Sequence, residues 1–225
     1  MTSQSLQGSA VANRQVRTRR APARREEDRQ AKLRAILDAA LDVFLEKGFT
    51  EARLEDVAAR AGVAKGTIYL YVPSKQALLE ALIRSGIGGP IGAVEQHVLA
   101  LDASAEEKLR ALFAFLRKEI LGTRRVDVVR LVLTEAWRFP QLAEIYHREV
   151  IGTGLRLLRA IAAQGVATGE FRSDALMRFP QLAIAPGVLA LLWTSFFQRI
   201  DPLDVEGMLD THLALVMRAL KGPGP

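Results

Sequence analysis

Between Ala31 and Gly48 the apolar side chains fall at Leu33, Ile36, Leu37, Ala40, Leu41, Phe44 and Leu45, in steps of three and one. That spacing marks one buried face of an α-helix, and Gly48 stands where a left-handed C-cap is wanted. The same period recurs along the chain and no stretch alternates with the period of a strand, so the expected fold class is all-α. Ser74 can cap a helix carrying Leu78, Leu79, Leu82 and Ile83, which Gly86-Ile-Gly-Gly-Pro90 is predicted to interrupt. Ser104-Ala-Glu-Glu107 has the form of a capping box and opens a helix that ends at Gly122. Further helices are predicted through 126–138, 140–167, 175–199 and 203–220, the last with Asp201 as N-cap and Pro202 at its first position.

The chain has 225 residues, 49% hydrophobic, with no cysteine, which excludes disulfide scaffolds, thiolate metal sites and cysteine nucleophiles. The cytoplasm is the expected location. The formal charge of +6 sits in one place: residues 1–25 carry Arg14, Arg17, Arg19, Arg20, Arg24 and Arg25 and no acid, while the remaining bases and acids cancel. Such an arm suits a polyanion or an anionic membrane surface, and it lacks the apolar run of an export signal. Residues 179–198 are uncharged but broken by Pro180, Pro186 and Gly187, so they read as a packed helix and no membrane partner is expected. The hexamer Arg-Phe-Pro-Gln-Leu-Ala occurs at 138–143 and 178–183 in unlike surroundings, which reads as two Phe-Pro helix boundaries rather than a repeat.

The segment from Leu54 to Tyr71 reads as a helix-turn-helix. Ala58 lets two helices approach, Gly62 supplies a turn with positive φ, and Val57, Val63 and Ile68 make a small shared core. Lys65, Thr67, Tyr69 and Tyr71 are then left facing outward, a set of base, hydroxyl and aromatic groups suited to phosphates and base edges in a major groove.

These residues resemble the tetracycline-repressor (TetR) family of bacterial transcription regulators. The resemblance lies in Gly48-Phe49, Asp56-Val57-Ala58, Ala61-Gly62-Val63, Lys65-Gly66-Thr67-Ile68-Tyr69 and Ser74-Lys75 through Leu79, covering residues 30–84. It extends more weakly to Glu135 through Ala143 and to Gly169-Glu-Phe-Arg172. It implies a homodimer that binds a palindromic operator on double-stranded DNA and is released when a small molecule enters the C-terminal domain. By position, Lys65, Gly66, Thr67, Tyr69 and Tyr71 match the recognition-helix contacts and Lys75 a phosphate-binding lysine. Arg53 departs from the pattern, which has Thr or Ser there as a helix cap. Arginine cannot accept the orphan N–H bonds, though it can hold a phosphate.

The resulting organisation is a basic arm without fixed structure (1–29), a three-helix helix-turn-helix DNA-binding domain (30–76), a helical effector-binding and dimerisation domain (77–220) and a tail (221–225). An apolar effector pocket is expected to be lined by Phe113, Leu116, Arg117, Leu133, Trp137, Tyr146, His147, Ile151, Leu189 and Trp193. Dimerisation is expected through 182–198 and the stripe Leu209, Leu213, Val216, Met217 and Leu220, a face that the monomer's own core can also bury. Gly86, Gly88 and Gly89 read as a flexible joint. His97, His147 and His212 have no ligand-spaced partners, Glu135 and Glu144 read as exposed helical glutamates, and no nucleophile motif or phosphate loop is present. No cofactor, metal or enzymatic activity is therefore expected. A constitutive DNA-architectural protein and an all-α enzyme are the alternative readings.

Overall fold

In the computed structural model, residues 5–222 are described, with side chains from Arg24 onward. All described secondary structure is helical. Two compact units are formed, Met1–Leu78 and Leu79–Pro225.

The first unit starts with α1 (Ser5–Glu51), broken at Gly48, where φ is 74°. Helical backbone thus begins inside the arm expected to lack structure. Ala, Arg and Gln there are strong helix formers, and from Arg24 to Ala35 the helix is exposed except at Leu33. Arg14, Arg17, Arg19 and Arg20 have side chains outside the described residues. Ile36, Leu37, Ala40, Leu41 and Phe44 form the buried stripe that the sequence period marks. Against α1 packs α2 (Leu54–Arg60), and against α2 packs α3 (Lys65–Ile68). Gly62 takes φ 67° in the turn between them, and Val57 and Ile68 are fully buried, each contributing about 1.5–3 kcal/mol.

The next helix, α4 (Lys75–Ala100), opens on the Ser74 hydroxyl, which accepts from Ala77 N–H at 3.1 Å. Gly86 through Pro90 do not interrupt it. Arg84–Gly88 instead form one wide π turn, closed by Gly89 N–H on the Arg84 carbonyl, and the helix continues. The glycines serve close approach rather than a hinge: a Cβ at Gly88 would stand 2.8 Å from the Glu149 carbonyl oxygen.

In the second unit, α5 (Ala105–Phe115) widens into a π turn over Leu116–Leu121, then come α6 (Arg125–Glu135) and α7 (Pro140–Ala167), the last with a π turn at His147–Ile151. The chain ends with α8 (Ala175–Arg178), α9 (Gln181–Phe196) and α10 (Val205–Lys221). The expected 175–199 helix is broken at Phe179-Pro180, and Phe139-Pro140 likewise marks a helix start. The N-cap of α10 is Asp204, whose Oδ1 accepts from Gly207 N–H at 3.0 Å, and not Asp201. The Ser104 capping box forms as expected: Ser104 Oγ accepts from Glu107 N–H and Glu107 returns the bond to Ser104 N–H. Glu170 adds a carboxylate there, accepting from Ala105 and Glu106 N–H at 2.8 and 2.9 Å, a favourable charge for a helix N-terminus.

Helices α4, α5 and α7 pack around a core that includes Val98, Leu109, Leu112, Leu157, Leu158 and Ile161. The α10 stripe expected at a dimer interface is drawn largely into this monomer: Met217 and Leu220 belong to the core and Leu213 and Val216 pack against it. Outside the core, Arg84 reaches Glu149 (3.0 Å) and Glu80 (3.0 Å), while Arg148 reaches the same two carboxylates (3.0 and 2.5 Å). This four-residue clasp fastens α4 to α7 beside their facing π turns.

Candidate DNA-reading head and effector cavity

The shortness of α3 sets the shape of the reading surface. After four helical residues, Leu70 N–H bonds Thr67 and Tyr71 and Val72 N–H both bond Ile68, so the chain turns tightly and Ile68 and Val72 point inward. Lys65, Gly66 and Tyr69 are exposed, Thr67 and Tyr71 half-buried. Gly66 has open space around its missing side chain. Leu70 is 80% exposed, the most exposed large apolar group in this unit among the described residues. Sequence reading passed over it because an apolar residue in a short helix is ordinarily core; the residue facing in is Ile68, two positions earlier.

Several charged side chains around the reading surface are paired within the unit. Lys65 Nζ lies 2.8 Å from Glu55 Oε1, an exposed pair that lowers the Glu55 pKa and raises that of Lys65 through the shared hydrogen bond. Arg53 sits at the N-cap of α2 without capping it. Asp56 supplies half a capping box instead, accepting from Arg53 N–H at 3.2 Å, and Lys47 at 2.9 Å from the same carboxylate holds its pKa down. Lys75 is also engaged within the unit: its ammonium donates to the carbonyls of Phe49 (2.6 Å) and Thr50 (2.8 Å) and lies over the Phe49 ring, with one N–H left over for a phosphate. It therefore ties the end of α1 to the start of α4 whether or not a phosphate is present.

In the second unit a cavity of about 340 Å³ opens among α4, α5, α7, α9 and α10. Phe113, Leu116, Arg117, Tyr146 and Ile151 line it, together with Ile87, Ile91, Arg110, Val150, Leu191 and Asp210, which sequence reading did not select. Ile87 and Ile91 were hidden by the expectation that the helix breaks at Gly86. Burial pushes the Tyr146 phenol up to about 12, so it stays a neutral hydroxyl.

The other expected lining residues lie elsewhere. Trp137 is 93% exposed on the turn after α6, where the helix ends two residues too early to carry its ring inward. Trp193 turns away and donates its indole N–H to the Asp201 carbonyl at 2.7 Å. Leu133 lines a separate, more polar groove with Arg130 and Phe196, His147 is exposed, and Leu189 is on the outer face of α9. Glu135 is half-buried rather than exposed, its Oε2 without a hydrogen-bond partner.

Pro186, inside α9, lines the cavity. Proline has no N–H to give the carbonyl four residues back, and the His212 imidazole bonds that Leu182 carbonyl instead. Burial still lowers the His212 pKa, and its Nε2 has no partner.

An exposed helix-turn-helix surface in one unit and an apolar cavity in the other are the two parts that a DNA-binding regulator answering to a small molecule needs. Residues 36–82 match the bacterial regulatory proteins of the tetR family. The fatty acid metabolism regulator protein of Bacillus subtilis (strain 168) is 27% identical over 192 residues, 85% of this chain and 97% of that protein. The HTH-type transcriptional repressor KstR2 of Mycolicibacterium smegmatis is 27% identical over 189 residues, 81% of this chain and 87% of that protein. Among solved structures, the transcriptional regulator FadR from Bacillus subtilis, in complex with stearoyl-CoA, superimposes with a TM-score of 0.64 at 23% identity, over 82% of this chain and 97% of that one. Residues 36–82 thus match the DNA-binding domain of tetR-family regulators, and over more than four-fifths of its length the chain is similar to transcriptional regulators that carry that domain.

Proposed function

We propose that this protein acts as a cytoplasmic homodimeric repressor that holds a palindromic operator and releases it when a molecule with a long apolar chain fills the second-unit cavity. The observation that carries the reading is the cavity itself, about 340 Å³ bounded by α4, which leads out of the DNA-reading unit, and lined overwhelmingly by aliphatic side chains. The stearoyl-CoA held by the Bacillus subtilis FadR structure supports a chain-like occupant. Lys65, Gly66, Thr67, Tyr69, Tyr71 and Leu70 are the groups that meet DNA, with Arg53 and Lys75 on phosphates. Binding must break the Lys65–Glu55 pair, an exposed pair that gives way at small cost.

The outer face of α9 and its continuation supply the dimer surface: Leu182, Leu189, Leu192, Phe196 and Ile200 are 40–81% exposed. A contiguous apolar face of this kind on a soluble protein marks an interface. Pairing it with a symmetry mate also brings two reading heads to one operator, as a two-fold site requires.

The test is footprinting of the purified protein on the DNA upstream of its own gene, with and without dodecanoyl-CoA. Protection of a two-fold symmetric sequence, lost on adding the thioester, is the expected result. Protection without symmetry would favour the architectural reading, and protection insensitive to every chain-bearing compound tried would remove the cavity from regulation. Leu189→Glu is expected to yield monomers in sedimentation velocity.

A further inference from the structure

The cavity wall is apolar except in four side chains. Tyr146 presents its neutral hydroxyl; Arg110, Arg117 and Asp210 are the charged members. The two arginines are seven residues apart along α5 and its π turn, two turns of one helix face, with Phe113 and Ala114 of the lining between them. All three charged side chains are substantially solvent-exposed, so they stand where the cavity meets water: Arg117 and Asp210 at 42% and 69%, Arg110 at 54%. Arg117 Nη1 lies 2.9 Å from Asp210 Oδ1, and that pair bridges α5 to α10 at the opening. Arg110 is held by Glu106, which also takes Lys221, so one carboxylate serves two cations and the opening retains a positive excess.

We propose that the effector is an anionic amphiphile whose head group binds Arg117 by displacing Asp210, which acts in the empty protein as a built-in competitor. This rests on the reading of the cavity as the effector site. The exchange is chemically simple: no covalent step occurs, Asp210 swings into water where it is already mostly exposed, and the guanidinium trades one carboxylate for another anion. An exposed ion pair contributes little, so Asp210 is displaced at small cost. It acts instead as a filter. A neutral head cannot replace it and gains nothing at the opening, and a cationic head would meet Arg117 and Arg110. The apolar chain alone then selects poorly among lipophilic molecules, and the Arg117–Asp210 pair confines the response to those with a negative end.

Two sources of negative charge fit the same chemistry, the carboxylate of a free fatty acid and the phosphates of its coenzyme A thioester. The experiment is calorimetric titration of the full-length protein and of Arg117→Gln and Asp210→Asn with dodecanoate, dodecanoyl-CoA, dodecan-1-ol and dodecylammonium. Expected are tight binding of one or both anions, weaker binding of the alcohol and none of the amine. Arg117→Gln should weaken the anion about tenfold, as removal of a charge-assisted bond does, and leave the alcohol unchanged. Asp210→Asn should tighten the anion about threefold, the scale of an exposed ion pair, again with no effect on the alcohol. Weakening of dodecanoate by Arg117→Gln identifies the carboxylate as the head, and weakening of the thioester alone identifies phosphate. Equal affinity for alcohol and anions, unmoved by both substitutions, would overturn the head-group proposal while keeping the cavity as the chain site. Failure of all four compounds to bind would overturn the cavity reading and the proposal together.

Discussion

Gly88→Ala tests whether the glycine run in α4 is a hinge or a point of close packing. A Cβ at Gly88 would sit 2.8 Å from the Glu149 carbonyl oxygen and 3.4 Å from the Glu149 Cβ. Ordinary contact begins near 3.4 Å, so α4 and α7 must separate by about 0.6 Å at their closest point, where close-packed helices have no slack. Overpacking of this kind costs about 1–3 kcal/mol. Replacing a helical glycine by alanine also gains up to about 1 kcal/mol, which would blur the result. Gly92, one turn further along the same helix, supplies the control, since nothing stands within 4 Å of its Cβ position. The propensity gain cancels between the two variants, so Gly88→Ala should be less stable than Gly92→Ala by about 1–3 kcal/mol. In a chain of this size that is a gap of roughly 3–9 °C in Tm by differential scanning calorimetry. Equal melting temperatures would refute the close-packing argument and return the segment to a flexible joint.

Lys75→Met should destabilise the DNA-reading unit by about 1–2 kcal/mol in urea titration, because two carbonyls lose a charged donor, even before any fall in DNA affinity is measured. Leu70→Ala should weaken operator binding about tenfold in fluorescence anisotropy with no change in far-UV circular dichroism; an unaltered Kd would remove this exposed leucine from the reading surface. Because burial depresses the His212 pKa, its stabilising effect is complete above about pH 6.5 and fades as acid protonates the unfolded chain first. Wild type should therefore lose more stability than His212→Gln between about pH 7.5 and 5.5 in parallel denaturant titrations. Deleting residues 1–25 should reduce the slope of log K against log salt on the operator by about one unit for each phosphate that the arm neutralises, and superimposable lines would retire the arm as a DNA ligand.

The parts of this fold written in local chemistry were legible from the residues alone. Ser104 and Glu107, Ser74, Gly62 and Gly48 each state a cap or a turn that needs no distant partner, and each takes the conformation its type favours. The Gly86–Pro90 run shows where that reasoning stops. Local propensity favours a break, and only the arrival of Glu149 from a helix about 60 residues later explains why glycines line an unbroken wide turn. The cavity divides in the same way. Phe113, Leu116 and Arg117 follow the period of α5, whereas Trp137 is placed by where α6 ends and Trp193 by its indole bond to the Asp201 carbonyl. Asp210 carries no local signal at all; only its 2.9 Å approach to Arg117 marks it.

The wide turns in α4 and α7 have a consequence for chain length. A π turn holds one residue more than the α-helical turn it replaces, and an α-helix advances about 100° per residue. Residues 84–88 therefore set the angular phase between the stripe Leu78, Leu79, Leu82 and Ile83 before them and Ile91, Val94 and Val98 after them. Removing one residue there would let the turn close as a regular α-helical turn with the two stripes still in phase, whereas removing one from the regular turns on either side would rotate one stripe against the other by about 100°, swinging one of them out of its core. A single-residue deletion in 84–88 should thus be far less damaging than one in the regular turns at 92–97, although each shortens the same helix by one residue.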